Sequence, residues 1–399
     1  MSVKFKGTNI EGVTAAKIRD LNYFCFGNNT IAFAVDSSGS IGSRKKDQYR
    51  EYTDISGSLL VEVPLKETMC LGLEPIAVYI DLCYGEDEYN KEFVKGAEEI
   101  ISSAGLDPSI LRIHYGSYSK EPLYSTYGIS FVCPVHKGSL RAGRSESGDL
   151  VYLVGLPTDK DYYDKQIRIG TIRKILDLPY VHEVLPGGSH GIRFEVEELG
   201  NTCNLTFVEG DNKFLHDNDK HSCGAACCVL VTIPADKKND FESIKFANVV
   251  NYYGRLIGEK KSDDDLSVIG SETGCHLNGD GSIVFDDGYE LISSCSDSFS
   301  IGTRSEDEVK LDDMTDHGCK VIFDSIEGLK GSEPMIVVNN LAFGMKEDGK
   351  KIIKAARSLF NEKYRGFDIE TQFTGSTEDN FAPNQSGIVV RSFALKRNL

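Results

Sequence analysis

Residues 40–44 read Ser-Ile-Gly-Ser-Arg and residues 300–304 read Ser-Ile-Gly-Thr-Arg, so one loop pattern occurs twice in the chain. The first copy follows a run rich in β-branched and aromatic residues, 30–35, which predicts a strand that delivers Asp36 at its end. The small residues at 37–43 let the backbone of such a loop approach a ligand closely. The pattern therefore predicts a strand followed by a ligand-binding loop, present in two copies.

Three further motifs recur in the same order along the chain. They pair 74–82 with 333–341, 94–97 with 353–356, and 116–117 with 375–376, each at an offset of 259, whereas the loop recurs at 260 (300 − 40). Self-similarity of this kind is typical of a duplicated structural unit. A charged stretch at 260–265 predicts a boundary. We therefore predict domain A at 1–147, domain B at 148–262 and domain A′ at 263–399, with a mixed α/β (α+β) fold.

The composition and net charge of the chain limit the classes of binding partner that we expect. The chain has 399 residues and a net charge of -17, which repels phosphate-rich surfaces, so we expect neither nucleic acid nor a membrane as a partner. No apolar leader or membrane-spanning run is present, and a cytoplasmic location is expected. A small-molecule substrate is the expected partner. If it is anionic, it needs local cations, backbone N–H groups or Mg²⁺.

Local patterns predict several elements. A helix is expected over 59–71, with Pro64 in its first turn, and a loop is expected over 200–222. A glycine-rich loop, 185–191, precedes a predicted helix at 192–199, and such a helix start is a candidate anion site. Gly187 and Gly188, with Ser189 and His190, are therefore candidates for contacting the second substrate.

The eleven cysteines show no disulfide framework, so reduced thiols are expected. One local concentration comprises His221, Cys223, Cys227 and Cys228, and a metal site there is an option. However, 227–233 reads as a buried strand, in which cysteine acts as a small hydrophobic residue. We therefore favour structural thiols at this position.

The order of these motifs resembles the aminoimidazole ribonucleotide synthetase superfamily, which includes thiamine-monophosphate kinase and formylglycinamidine synthetase. The motifs are the strand ending in Asp before the small-residue loop, a helix ending Gly-x-Glu-Pro, a Gly-Ser loop, and Gly-Asp-x-hydrophobic opening the second domain. The strongest pieces are 57–75, 148–157, 186–199 and 224–259. In motif form, 36–42 and 375–380 look similar to the α-ribazole kinase branch.

The resemblance implies an ATP-dependent enzyme with Mg²⁺. Family members usually pair two A-type domains into one β-barrel, with ATP in a cleft along it. Here A and A′ are expected to form that barrel within one chain, giving either a monomer with an intrachain pseudo-dimer or a homodimer. The resemblance implies catalytic roles for Asp36 and Asp54, with Asp81 as a further candidate acid. It implies metal ligands at Asp36, Asp54, Glu67, Glu378 and Asp379. It implies nucleotide contacts at Ser40, Gly42, Ser43, Arg44, Arg304, Gly375 and Ser376.

Some positions depart from the family pattern. Asp36 lies three residues before Gly39, and Lys66-Glu67 stands where many members have Asn-Asp; A′ has Ser325-Ile326 there. One composite site, or none, is therefore favoured over two equal sites. Three functions stay open: an ATP:alcohol phosphotransferase acting on a nucleoside such as α-ribazole, a ring-closing or amide-activating synthetase, and a non-catalytic nucleotide-binding or partner-binding protein.

Overall fold

The computed structural model describes residues 6–8, 10–157, 166–224, 226–260, 266, 269–330, 332, 334–341, 346–364, 370–374 and 384–397. The described strands of the first part are β1 Lys6–Gly7, β2 Val13–Ile18, β3 Leu21–Phe26, β4 Asn29–Gly39, β5 Ile41–Gly42, β6 Tyr49–Arg50, β7 Ala77–Leu82, β8 Leu111–His114 and β9 Thr126–Pro134. Those of the middle part are β10 Leu150–Val154, β11 Glu183–Pro186, β12 Thr206–Glu209, β13 Val229–Ile233 and β14 Val250–Ile257. Those of the last part are β15 Cys275–Leu277, β16 Ile283–Phe285, β17 Tyr289–Phe299, β18 Ile301–Gly302, β19 Val309–Lys310, β20 Pro334–Leu341, β21 Glu370–Thr374 and β22 Gly387–Arg397.

The described α-helices are α1 Thr53–Cys70, α2 Glu88–Ser103, α3 Ile169–Leu176, α4 Ile192–Cys203, α5 Lys213–Asn218, α6 Lys238–Glu242, α7 Thr315–Glu327 and α8 Lys346–Tyr364. Short 3₁₀ turns occur at Pro108–Ile110 and Ala235–Lys237. Among the described helices, none combines the length and the apolar character that crossing a membrane requires.

The first and last large sheets have the same strand order. The first runs β1-β2-β3-β4-β9-β7-β8, and the last runs β15-β16-β17-β22-β20-β21, which repeats the first from β2 onwards. In both sheets the one parallel pair described lies at the same edge, β7 with β8 and β20 with β21. β4 and β17 are each 11 residues long and start 260 positions apart (289 − 29). The two outer sheets therefore share one topology, as the A-B-A′ arrangement predicts.

The loop that occurs at 40–44 and again at 300–304 has the same hydrogen bonds in both copies. Asp47 accepts from the backbone N–H of Arg44 at 2.8 Å and from the N–H and hydroxyl of Ser125 at 2.7 and 2.8 Å. In the second copy, Asp307 makes the same three bonds to Arg304 and Ser386, at 2.8, 2.6 and 2.7 Å. Ser40 and Ser300 both have a left-handed backbone, with φ of 59° and 61°. The sequence repeat is therefore also a repeat of geometry.

A and A′ form four layers. Along β4, Ile31, Phe33 and Val35 face the A′ sheet, whereas the alternate residues Ala32 and Ala34 face the core under α1 and α2. This alternation follows from the two-residue period of a strand. The helices α7 and α8 cover the other face of the A′ sheet.

Aromatic contacts hold the two sheets face to face. The ring centroids lie 4.9 Å apart for Phe33 and Phe393 and 5.1 Å apart for Phe26 and Phe285. Among the described strands, no strand of one sheet pairs with a strand of the other. The expected intrachain pairing of A and A′ is therefore present as two facing sheets, and no closed barrel is seen.

A buried ion pair crosses this interface. The Arg391 guanidinium of β22 contacts the Asp81 carboxylate of β7, with Nε 3.0 Å from both carboxylate oxygens. The side chains of Asp81 and Arg391 are 0% and 7% exposed. Arg391 also donates to Ser293 at 3.1 Å and lies over the Tyr79 ring. Asp81, a candidate acid in the sequence, is thus occupied by a partner in A′.

Domain B is a five-stranded antiparallel sheet in the order β11-β13-β10-β14-β12. One face packs on α4 and α5, and the other on α3 and α6. α1 contacts β11 and α3, and so joins A to B.

Two local predictions were wrong. Pro64 lies well inside α1, because the helix begins at Thr53 and not near residue 59. The segment 200–222, predicted to be a loop, contains the end of α4 together with β12 and α5. In both cases packing of a buried face outweighs local propensity.

The buried pair predicts a strong stability effect. Asp81→Asn and Arg391→Met should each lower the free energy of unfolding by about 3–5 kcal/mol, because each leaves one buried charge unpaired. The double variant Asp81→Leu/Arg391→Met should recover most of this loss, since it removes both charges.

Urea denaturation measures these values. Lys120→Met is the matched control: it breaks a surface ion pair between A and A′, with Glu308, and should cost much less. Equal losses for the buried and surface variants would contradict the assigned role of the Asp81–Arg391 pair.

Candidate functional site

Four carboxylates from different elements come together where A meets B. Asp36 lies on β4, Glu67 in the last turn of α1, and Asp20 in the turn between β2 and β3. Glu195 comes from domain B, in the first turn of α4. Asp20 is exposed, Asp36 and Glu67 are half-buried, and Glu195 is buried. We call these four residues the acid group.

Burial and neighbouring carboxylates raise the pKa values of Asp36, Glu67 and Glu195. Burial raises the pKa of Asp36 to about 7. The Ser37 N–H lowers this pKa, and the negative charge of Asp20 raises it. Burial also raises the pKa of Glu195 to about 8, with a further contribution from Asp20. The pKa of Glu67 is raised well above its usual range by burial and then by Asp20, Asp36 and Glu195. Repulsion between buried carboxylates is a common mark of a functional site.

A buried ion pair fixes the corner in which the acid group lies. Arg19, next to Asp20 and with a left-handed φ of 55°, donates to Glu183 of β11 at 2.6 Å. Glu183 also accepts from the N–H groups of Gly143 and Ser145, at 2.8 and 3.0 Å. The turn that carries Asp20 is therefore held directly against domain B.

The predicted glycines of the loop 185–191 lie beside this corner. Glu195 accepts a hydrogen bond from the Gly188 N–H. A Cβ at Gly188 would clash with the Glu195 carboxylate, and a Cβ at Gly187 would lie 2.9 Å from the Sγ atoms of Cys223 and Cys228. The loop thus needs glycine at both positions. His190 stacks on Phe194, with ring centroids 4.9 Å apart.

The polar groups of the loop Ser40–Arg44 are used within domain A. Ser40 is buried, and its backbone carbonyl accepts from the N–H groups of Gln48 and Tyr49 at 3.0 and 3.1 Å. A Cβ at Gly42 would lie 2.7 Å from the Ser125 hydroxyl. The Ser43 hydroxyl donates to the Glu51 carbonyl at 2.9 Å.

Arg44 is 1% exposed, and its side chain is engaged within A. Its guanidinium bonds Asp87 at 2.8 Å and lies over the rings of Tyr84 and Tyr89. Binding a phosphate would require its release from Asp87. This placement favours a structural role, and the predicted ligand role of the loop residues stays a prediction.

The remaining predicted residues are placed as follows. Asp54 begins α1, where its carboxylate accepts from the Ile55 N–H at 2.9 Å and its backbone lies against Gly96 of α2. Arg304 occupies the second copy of the loop, in A′. Gly375, Ser376, Glu378 and Asp379 lie outside the described residues. β21, which ends at Thr374, contacts β4.

The corresponding positions of A′ lack the acids. Ser296 stands 260 positions after Asp36, and Ile326 stands 259 positions after Glu67. Only the A copy therefore brings these two carboxylates together, which agrees with the expectation of one site.

Sequence reasoning missed Asp20 and Glu195. Asp20 follows a single left-handed residue in a two-residue turn, and Glu195 looks like an ordinary acid in a first helical turn. The glycine loop before α4 was a signal for the region, although it was assigned to phosphate and not to a carboxylate.

The acid group fits a hydrated divalent cation. Within the described residues, the only three candidate ligands whose atoms lie within 4.8 Å of one another are Cys223, Cys227 and Cys228. The carboxylates are therefore spaced more widely than joint direct coordination of one ion requires. Mg²⁺ usually keeps several waters and takes one or two carboxylates with substrate phosphates, which suits this spacing.

Comparisons with known proteins show the fold. No protein-family model and no curated protein matches the sequence. Among solved structures, PurLQS from Thermotoga maritima matches with a TM-score of 0.58 and 13% identity, over 98% of this chain and 75% of that one. Phosphoribosylformylglycinamidine synthase II from the same organism matches with a TM-score of 0.57 and 11% identity, over 98% and 76%.

A further match is T. maritima PurL complexed with ATP, with a TM-score of 0.58 and 11% identity, over 98% of this chain and 75% of that one. PurL belongs to the superfamily that the sequence motifs resemble. At these identities the likeness concerns the fold. The chain therefore has the fold of the aminoimidazole ribonucleotide synthetase superfamily, as its motifs predicted.

Proposed function

We propose that this chain binds ATP with Mg²⁺ and transfers a phosphoryl group to a small-molecule substrate. The observation that carries the proposal is the acid group, in which burial and mutual repulsion raise the pKa of Asp36, Glu67 and Glu195. Such a group is costly in a folded protein unless a cation offsets it. Phosphoryl transfer needs mainly positioning and charge neutralisation, which these residues can supply.

The side chains divide into two roles. Asp36 and Glu67, on A, are suited to hold Mg²⁺, which would neutralise the charge on the phosphates. Glu195, on B, has a pKa of about 8 and is suited to exchange a proton with the acceptor near neutral pH. The Gly188 N–H, which donates to Glu195, faces the same corner.

The segment after β21 is proposed to complete the site. β21 contacts β4, the strand that carries Asp36, and Gly375, Ser376, Glu378 and Asp379 follow β21 in the sequence. We propose Glu378 and Asp379 as additional metal ligands from A′. The division into A, B and A′ at residues 147 and 262, its origin by duplication, a monomeric or homodimeric state and a cytoplasmic location stay predictions.

The chemical class of the phosphoryl acceptor distinguishes the kinase alternative from the synthetase alternative. An alcohol acceptor, such as that of α-ribazole, makes the chain a kinase, whereas an amide oxygen makes it an activating synthetase. PurL complexed with ATP, a structural match, supports the use of ATP in either case. A non-catalytic protein remains the alternative if nucleotide binds without turnover.

The first test is nucleotide binding. Saturating ATP with Mg²⁺, at about 100 times Kd, should stabilise the native state by about 2.7 kcal/mol and so raise Tm by several degrees. Asp36→Asn and Glu67→Gln should each weaken this binding at least about tenfold, because a metal ligand is lost. Ser296→Ala, at the matching position of A′, should leave it unchanged.

Thermal shift and calorimetry provide the readouts, followed by an ADP-release screen with alcohol and amide acceptors. No shift with any nucleotide, or an unchanged shift in Asp36→Asn, would contradict the proposed site. Binding without ADP release from any acceptor would favour the non-catalytic alternative.

The raised pKa of Asp36 predicts a pH effect on stability. The unfolded carboxyl ionises near pH 4, whereas the folded one ionises near pH 7, so this group destabilises the fold progressively as pH rises between these values. In Mg²⁺-free buffer, Asp36→Asn should therefore be more stable than wild type at pH 8, and the difference should shrink toward pH 4. Urea denaturation across this range checks the prediction. A pH profile identical to wild type would contradict it, and Ser296→Ala should follow the wild-type profile.

A further inference from the structure

Three buried cysteine thiols converge in domain B, next to the Gly187–Gly188 turn. The Sγ atoms of Cys223, Cys227 and Cys228 all lie within 4.8 Å of one another. The Cys223 and Cys228 sulfurs are 3.8 Å apart. All three residues are at most 1% exposed. This convergence is the closest grouping of potential metal ligands among the described residues.

The sulfur spacing matches that of a zinc thiolate site. Zinc binds thiolates at about 2.3 Å in a tetrahedral arrangement, which places two sulfurs of one site about 3.8 Å apart. The Cys223–Cys228 separation has this value before any ion is bound. Cys227 Sγ donates to the Leu156 carbonyl at 3.2 Å and lies within 4.8 Å of the other two sulfurs.

The backbone fixes this arrangement. The Cys223 N–H donates to the Gly188 carbonyl at 3.1 Å, and the Gly187 N–H donates to the Cys228 carbonyl at 2.9 Å. Ala226 has a left-handed φ of 53°, unusual for a residue with a side chain, and this turn directs the following two cysteines. The thiols are therefore positioned by two loops that hold each other.

The Gly187 backbone packs directly against the thiol pair. A Cβ there would lie 2.9 Å from both the Cys223 and Cys228 sulfurs, so the absence of a side chain lets this turn approach the two thiols closely.

Metal binding to three thiols releases their protons, M²⁺ + 3 RSH → [M(SR)₃]⁻ + 3 H⁺. The buried Lys66 ammonium donates to the Ala226 carbonyl at 3.0 Å and pairs with Glu62 at 3.3 Å, so this ion pair lies beside the cysteine loop.

We propose that Cys223, Cys227 and Cys228 form a thiolate site for one Zn²⁺ ion, with a fourth position open to water or another ligand. Sequence reasoning favoured structural thiols because it predicted a strand from 227. The strand β13 begins at Val229, which leaves both Cys227 and Cys228 in the preceding loop. The site would tie the Gly187–Gly188 turn to this loop.

Cobalt substitution tests the proposal on the full, reduced chain under anaerobic conditions. Co²⁺ should bind at one ion per chain with an intense thiolate-to-cobalt charge-transfer band, and Zn²⁺ should displace it. Cys223→Ser and Cys228→Ser should each weaken Co²⁺ binding at least about tenfold. Cys319→Ser, which changes a buried thiol outside the cluster, should not.

A second pair of variants covers the case in which a serine substitution unfolds domain B. Cys223→Ala and Cys228→Ala each remove one thiol without burying a hydroxyl, so they should also weaken Co²⁺ binding while circular dichroism shows a folded chain. Absence of the charge-transfer band in the wild type would overturn the site. Unchanged affinity in a folded Cys223 or Cys228 variant would overturn these ligands.

Discussion

The ion pair between Arg19 and Glu183 is the contact on which the candidate site depends. Both side chains are buried, and the pair joins the β2–β3 turn of A to β11, an edge strand of the domain B sheet. Asp20 lies next to Arg19, and Glu195 follows the loop that leaves β11. One salt bridge thus sets the distance between carboxylates that belong to separate sheets. Because an unpaired buried charge is costly, the two domains are strongly held in this relation.

The similarity of A and A′ makes their chemical difference informative. The two copies share strand order, loop hydrogen bonds and helix placement, so their shape alone does not distinguish them. The positions of Asp36 and Glu67 in A are taken in A′ by Ser296 and Ile326. The Asp81–Arg391 pair, in turn, joins an acid of A to a base of A′. The acid group is therefore a feature of the A copy, and its role as a ligand site stays a prediction.

The sequence predicted the fold more completely than it predicted the residues of the candidate site. Motifs at fixed offsets were sufficient to predict the repeated unit and the superfamily fold, because strand order follows from the order of motifs along the chain. The resemblance placed Asp36 and Glu67 among the candidate metal ligands, and that role stays a prediction. Asp20 and Glu195 were missed, because their importance comes from the packing of A on B, which no local pattern records. Arg44 illustrates the converse: a conspicuous arginine in a small-residue loop is buried against Asp87 and two tyrosines.

The most direct measurement is the location of a bound metal. A crystal structure with Mn²⁺ and a non-hydrolysable ATP analogue would show the ion by its anomalous signal. Our account predicts a Mn²⁺ peak next to Asp36 and Glu67, with the nucleotide phosphates between this ion and the loop that leads to Glu195. A peak at the corresponding A′ positions, Ser296 and Ile326, or nucleotide bound away from the A–B corner, would contradict it.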